Sequence, residues 1–301
     1  MLVRIFIYLF TIIIMNLIGF QALAQSNQMS NETPVAFLDE ANAVLEETEV
    51  VPPVNIKVNV AARKLYVYEQ GELVKSYPVA VGSSRHRTPL KELKLTNIEW
   101  NPWWYPPKTS EWAKDAKDTP PGKYNPLGPV KMKLGSAIMF HGTNKPHTVG
   151  KAASHGCMRM YSEDAKELAW WLQQRLTSKT DEALLATYQK NSRRTYAVKV
   201  EQQIPVELYY DLVEVSDGRL LVYQDVYYKV ADKIKVIQEE MALAGENIDR
   251  YDWNLVKEEI KKAKNRKDLV FDLKALAKGI VTDGLEKEQD VAMQDIPAPV
   301  N

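Results

Sequence analysis

The sequence predicts a mainly β domain over residues 54–229, followed by an α-helical extension over 230–285. Three observations lead there. Val54, Ile56, Val58 and Val60 alternate with Asn55, Lys57 and Asn59, the period of two expected of a half-buried strand. Gln70-Gly71 and Asp217-Gly218 each separate two apolar runs (65–69 from 73–81, and 205–215 from 219–228), which is how a hairpin reads. After Lys229 the apolar residues change to helical spacing: Ile234, Ile237 and Met241, then Trp253, Val256 and Ile260, then Leu269, Leu273 and Leu276.

Residues 1–24 read as an export signal. Arg4 supplies a positive start, Ile5 to Phe20 is almost wholly apolar, and Ala22 and Ala24 have the spacing of a cleavage site after Ala24. An uncleaved anchor is the alternative, although the apolar run is short of the roughly 20 residues a spanning helix needs. Residues 25–53 are polar and acidic, end in Pro52-Pro53, and form a spacer. Beyond the first hairpin, 85–134 is a long stretch rich in proline and glycine that holds Trp100, Trp103, Trp104 and Trp112. Regular structure resumes at 137–141. A helix is expected at 162–176, with Ser162 as its cap, Glu163 and Asp164 at the positive end of its dipole, and a stripe of Ala165, Leu168, Leu172 and Leu176. A strand at 195–201 comes next, and residues 286–301 are an acidic, disordered tail. The extension has two readings, a cap packed on the β domain or a module that binds a partner.

Composition excludes several function classes. The 39 basic and 39 acidic residues cancel, which argues against a general nucleic-acid binder. Removing Arg4 with the leader leaves 38 against 39. A single cysteine closes no internal disulfide and cannot build a cysteine-only metal site. In an exported protein, such a thiol is either buried or kept for its chemistry.

That cysteine lies in Ser154-His155-Gly156-Cys157-Met158-Arg159, and Phe140-His141-Gly142-Thr143 stands upstream. A free thiol is mostly protonated at neutral pH and attacks as the thiolate, so covalent catalysis needs a nearby base such as an imidazole. Glycines beside the nucleophile let backbone N–H groups approach a developing oxyanion. Two other readings stand beside this one: Cys157 as a small buried hydrophobe, and a zinc site made of Cys157 with His141, His147 and His155. The His155–Cys157 spacing of two is narrow for structural zinc.

These residues resemble a known family. Phe-His-Gly-Thr-Asn-Lys-Pro at 140–146 with Ser-His-Gly-Cys-Met-Arg-Met at 154–160 is similar to the L,D-transpeptidase catalytic domain of bacterial cell-wall enzymes. Residues 101–108 and 120–128 resemble the segments before its active site, and 206–223 its closing strands. The resemblance covers about 54–229 and implies a β-sandwich-like domain with one or two short helices. It implies Cys157 as nucleophile, His141 as general base and the Gly142 carbonyl as orienter of the imidazole. Backbone N–H groups of Gly156 and Cys157 would form the oxyanion hole, and Ser154, His155 and Arg159 would line the pocket. Arg159 also reads as a structural ion pair. One departure stands out: Thr88-Pro89-Leu90-Lys91 lacks the glycine usual in that loop, which touches acceptor specificity rather than chemistry.

The expected activity is acyl transfer through a Cys157 thioester, with peptidoglycan stem peptides as donor, no cofactor and no metal. The acceptor is a second stem, a lysine of an envelope protein, or water, the last giving a carboxypeptidase or endopeptidase. A non-catalytic wall-binding module is the reading from a different class. The expected location is the periplasm or cell envelope, with no stable membrane span once the leader is cut.

Overall fold

The computed structural model describes residues 53–281 apart from Ser136. The leader, nearly all of the spacer and the tail lie outside the described residues. Two five-stranded sheets form the centre. The first comprises β1 (Val54–Asn59), β2 (Lys64–Glu69), β3 (Glu72–Pro78), β5 (Glu92–Lys94) and β12 (Pro205–Tyr209), in the order β3-β2-β1-β12-β5. The second comprises β6 (Asn97–Trp100), β7 (Val130–Lys133), β8 (Met139–His141), β10 (Met158–Arg159) and β11 (Tyr196–Lys199), in the order β10-β8-β7-β6-β11. Short β4 (Val81–Gly82) pairs in parallel with β9 (Ala152–Ser154).

Register explains the core. Because side chains alternate between faces, one register sets a whole row. In the first sheet Val67, Ile56 and Val206 lie abreast, as do Leu65, Val58 and Leu208, all buried. In the second, Met158, Phe140, Met132, Ile98 and Val198 form one buried row across five strands. Both rows join a single cluster with helix α1 (Ser162–Leu176), whose Ala165, Leu168, Ala169, Leu172 and Leu176 are buried. Burying a leucine of this stripe contributes about 2 kcal/mol. The opposite face of the second sheet carries Arg159, His141, Lys131 and Glu99 in the neighbouring row.

The first hairpin turn is as expected, with Gln70 and Gly71 both at positive φ, and Asp217-Gly218 repeats that geometry. Several elements differ from the expectation. The stretch 85–134 contains β5, β6 and β7, each of only three or four residues and too short to show a period. Ser162 is not the helix cap: Tyr161 holds that position, and the Ser162 hydroxyl donates to the Thr143 carbonyl at 3.2 Å. A second helix, α2 (Glu182–Lys190), follows α1. The run 205–215 is two strands in different sheets, β12 and β13 (Val213–Ser216).

The extension is not purely helical. Helices α3 (Lys233–Leu243) and α4 (Trp253–Ala263) form where expected, but the third stripe is strand β15 (Leu269–Asp272) followed by one helical turn, α5 (Leu273–Leu276). Strand β15 pairs with β14 (Arg219–Val222), which pairs with β13, so this third sheet runs across residue 229. It covers a core of its own, including Leu220, Ile237, Met241, Val256 and Phe271.

Candidate active site

The outer row of the second sheet opens into a cavity of about 460 Å³. His141 ends β8, and Cys157 immediately precedes β10, in the tight turn that links it to β9. Parallel pairing of β8 with β10 places Arg159 abreast of His141, so both line the cavity together with Cys157, Ser154 and His155. Trp103, Trp104, Tyr105 and Trp112 roof it.

Local sequence explains the turn. Gly156 sits at φ +115°, a conformation that L side chains rarely adopt. Ser154 ties the turn from inside: its hydroxyl donates to the Cys157 carbonyl at 2.5 Å and accepts the Gly156 N–H at 3.0 Å. Of the two amides expected at the oxyanion, Gly156's is therefore engaged, while the Cys157 N–H has no partner among the described residues. Gly142 is required for space, since a Cβ there would lie 2.8 Å from Pro129 Cδ.

His141 is 5% exposed, and its Nδ1 is 2.6 Å from the Gly142 carbonyl. A carbonyl only accepts, so in the neutral ring the proton sits on Nδ1 and Nε2 keeps its lone pair. Burial pushes the His141 pKa down to about 4, aided by the cations of Arg159 and Lys131 and opposed by the Gly142 hydrogen bond. Burial also pushes the half-buried Cys157 thiol up, against the Met139 amide and Arg159. The thiol's hydrogen bond goes to the Ala137 carbonyl at 3.5 Å, not to the imidazole. At neutral pH the resting pair is thus thiol and neutral imidazole, not a preformed ion pair.

The buried imidazole makes stability depend on pH. Its folded pKa lies below the ordinary value of 6.5, so between pH 6.5 and 4 the unfolded chain binds the extra proton and stability falls as pH falls. The full loss is about 3 kcal/mol at about 1.4 kcal/mol per unit. His141→Gln is expected to flatten the stability curve across that window in urea melts; an unchanged slope contradicts the assignment.

Arg159 has no carboxylate within ion-pair distance among the described residues. Its guanidinium donates to the Ala153 carbonyl at 3.3 Å and to Thr148 Oγ1 at 3.4 Å. Lys131 differs: buried, it pairs with Glu99 at 2.8 Å and donates to the Trp103 carbonyl at 3.3 Å, while Lys133 takes the other Glu99 oxygen at 3.2 Å.

The roof is fixed at its base. Asn125 Nδ2 donates to the carbonyls of Pro102, Thr119 and Pro120 at 2.8–3.1 Å, and its Oδ1 accepts the Leu127 N–H at 2.9 Å. Trp112 lies flat on His155, ring centroids 3.9 Å apart and planes within 9°. His86 meets the His155 ring edge-on at 4.7 Å.

Every expected site residue is therefore at the cavity, in the turn that shapes it or, in the case of Gly142, hydrogen-bonded to a residue that lines it. His147 is not: it is exposed on the turn Pro146–Thr148 and does not line the cavity. Of the three histidines considered as zinc ligands with Cys157, His141 and His155 line the cavity beside it and His147 does not. Among the described residues no group of three or more His, Cys, Asp or Glu is arranged to hold a metal ion. Sequence reasoning missed Lys131, Glu99, His86 and the part Trp112 plays, since only the fold brings them together.

Residues 53–200 match the family model described as YkuD, L,D-transpeptidase catalytic domain. YkuD of Bacillus licheniformis is 38% identical over 118 residues, 39% of this chain and 59% of that protein. ErfK/SrfK of Salmonella typhimurium is 32% identical over 121 residues, 38% of this chain and 39% of that protein. Both are named as L,D-transpeptidases. The chain thus spans less than two thirds of the length of each. Among solved structures, the L,D-transpeptidase LdtMt1 in complex with imipenem has 14% identity and a TM-score of 0.34, covering 52% of this chain and 59% of that one. Residues 53–200, with His141 and Cys157 among them, thus match the L,D-transpeptidase catalytic domain.

Proposed function

We propose that the protein is a cell-envelope L,D-transpeptidase working by two-step acyl transfer. One observation carries the reading: Cys157 and His141 share one cavity, and the Nδ1 bond to Gly142 leaves Nε2 as the base. In the first step Nε2 takes the thiol proton as the sulfur attacks the carbonyl of the third residue of a tetrapeptide stem. The tetrahedral oxyanion forms beside the Cys157 N–H. Collapse breaks the peptide bond, His141 returns the proton to the leaving nitrogen, and D-alanine departs with a thioester left on Cys157. In the second step a stem amine attacks the thioester, loses its proton to His141, and restores the thiol. The uncompensated Arg159 supports binding of a substrate carboxylate, and the aromatic roof supports exclusion of water from the thioester. Export by residues 1–24 fits a substrate outside the cytoplasm.

Mass spectrometry of muropeptides after incubation with tetrapeptide-rich wall tests this. Cross-linked dimers that accumulate with loss of D-alanine are expected. Tripeptides alone mean that water is the acceptor, and an unchanged muropeptide profile removes the enzymatic reading.

A further inference from the structure

The cysteine turn is held from below by a line of hydrogen bonds that ends in the C-terminal extension. Thr88, buried, donates its hydroxyl to the Gly156 carbonyl at 2.8 Å and accepts the Gly82 N–H at 2.9 Å. Its amide donates to the Tyr227 hydroxyl at 2.8 Å, and that hydroxyl donates to the Gly82 carbonyl at 2.9 Å. Tyr227 is 1% exposed and lies beyond the family match. Its ring stacks on Tyr210 at 5.5 Å, and its N–H donates to the Tyr210 hydroxyl at 3.1 Å.

The same segment is anchored to the extension. Tyr210 donates to Asp225 Oδ1 at 2.6 Å, and Asp225 also accepts the amides of Lys229 and Val230 at 3.0 Å. Asn265, just past α4, grips the Asp225 backbone from both sides: its Oδ1 accepts the Asp225 N–H at 2.8 Å and its Nδ2 donates to the Asp225 carbonyl at 2.9 Å. Neither Tyr227 nor Asn265 lines the catalytic cavity.

This line matters because of where it ends. The Gly156 carbonyl and the Cys157 N–H belong to one planar trans peptide unit and point in opposite directions. A glycine before the nucleophile leaves that unit free to rotate, so whatever grips the carbonyl also aims the amide. We propose that Tyr227 is a positioning residue: through Thr88 it fixes the 156–157 peptide and hence aims the Cys157 N–H, and the extension serves at this end to hold Tyr227 in place. This rests on Cys157 being the nucleophile. It also selects, for this edge of the extension, a cap that supports the site rather than a partner-binding surface.

The full chain carrying Tyr227→Phe, Thr88→Val, Thr88→Ser or Asn265→Ala tests it, with melting temperature, kcat and KM for tetrapeptide, and the acylation rate with imipenem read together. Tyr227→Phe and Thr88→Val are expected to lower kcat and the acylation rate ten- to a hundredfold, the scale of a misaimed oxyanion donor. KM should stay near the parent value, while the buried backbone groups left without a partner lower the melting temperature by several degrees without unfolding the chain. Thr88→Ser keeps the hydroxyl and should stay near parental activity, and Asn265→Ala should move kcat in the same direction by less. Parental kcat in both Tyr227→Phe and Thr88→Val overturns the proposal. If Tyr227→Phe fails to fold, the contrast between Thr88→Val and Thr88→Ser decides: a loss confined to valine supports the proposal, and equal activities overturn it. A parent protein that neither turns over tetrapeptide nor takes up imipenem overturns this proposal and the functional reading together.

Discussion

Cys157→Ala is expected to lose turnover of tetrapeptide by at least about 10⁴-fold while keeping its fold. The chemistry ends because no other thiol exists in the chain and a two-step acyl transfer has no path without its nucleophile. The fold survives because the side chain contributes little to packing. Cys157 is half-buried, and its thiol donates only a long hydrogen bond, to the Ala137 carbonyl, among the described residues. Met158 and Met160, both fully buried, carry the packing of this segment. Losing so weak a bond costs about 1 kcal/mol or less, a shift of about 2–4 °C in a domain of this size. Circular dichroism melts beside turnover check both halves. A variant that unfolds would make Cys157 a core residue, and one that stays active would remove it from the mechanism.

His141→Gln is expected to slow acylation by about 10²–10⁴-fold, and its pH profile is the sharper signature. In the parent the base must be neutral, so activity is present above the depressed pKa of His141, about 4, and lost as pH falls through it. The parent should therefore keep most of its acylation rate at pH 5.5, where an ordinary histidine would be largely protonated. The glutamine variant has no base and depends on spontaneous ionisation of a thiol that burial has raised, so its rate should climb about tenfold per pH unit until the thiol ionises. Stopped-flow acylation by imipenem from pH 4 to 10 separates these shapes. A parent acid limb near 6.5 would mean that the site does not depress the imidazole, and a flat profile for the variant would mean that His141 is not the base.

How much of this was legible in the sequence depends on the range of the interactions involved. Helix α1 was legible to the residue, because a buried stripe over 15 residues repeats its own period four times. The candidate site was legible because His141-Gly142 and the 154–157 turn are short, local and written in rare residue types. Strands β6 and β7 were not, since three or four residues cannot display a period and their pairing is set by neighbours elsewhere in the chain. Leu269, Leu273 and Leu276 fit a helix by spacing alone; the pairing of Leu269 with Val222 and Phe271 with Leu220 overrides it. Ser162 looked like a cap, yet its hydroxyl reaches the Thr143 carbonyl, which sequence could not place beside it. The supports of the site were the least legible. Thr88 lies 68 positions from Gly156, and Tyr227 lies 139 from Thr88. Thr88 is marked only as part of the Thr88-Pro89-Leu90-Lys91 loop, with no sign of what it holds, and nothing local marks Tyr227.

The central claim is a thioester on Cys157, and trapping it is the most direct test. The parent protein is mixed with purified tetrapeptide, quenched in acid within one turnover, and weighed intact. The account predicts a mass increase equal to the stem less its terminal D-alanine, labile to hydroxylamine, mapped to the peptide containing Cys157, and missing from Cys157→Ala. Product formation with no covalent adduct at any quench time, or an adduct on another residue, would contradict it.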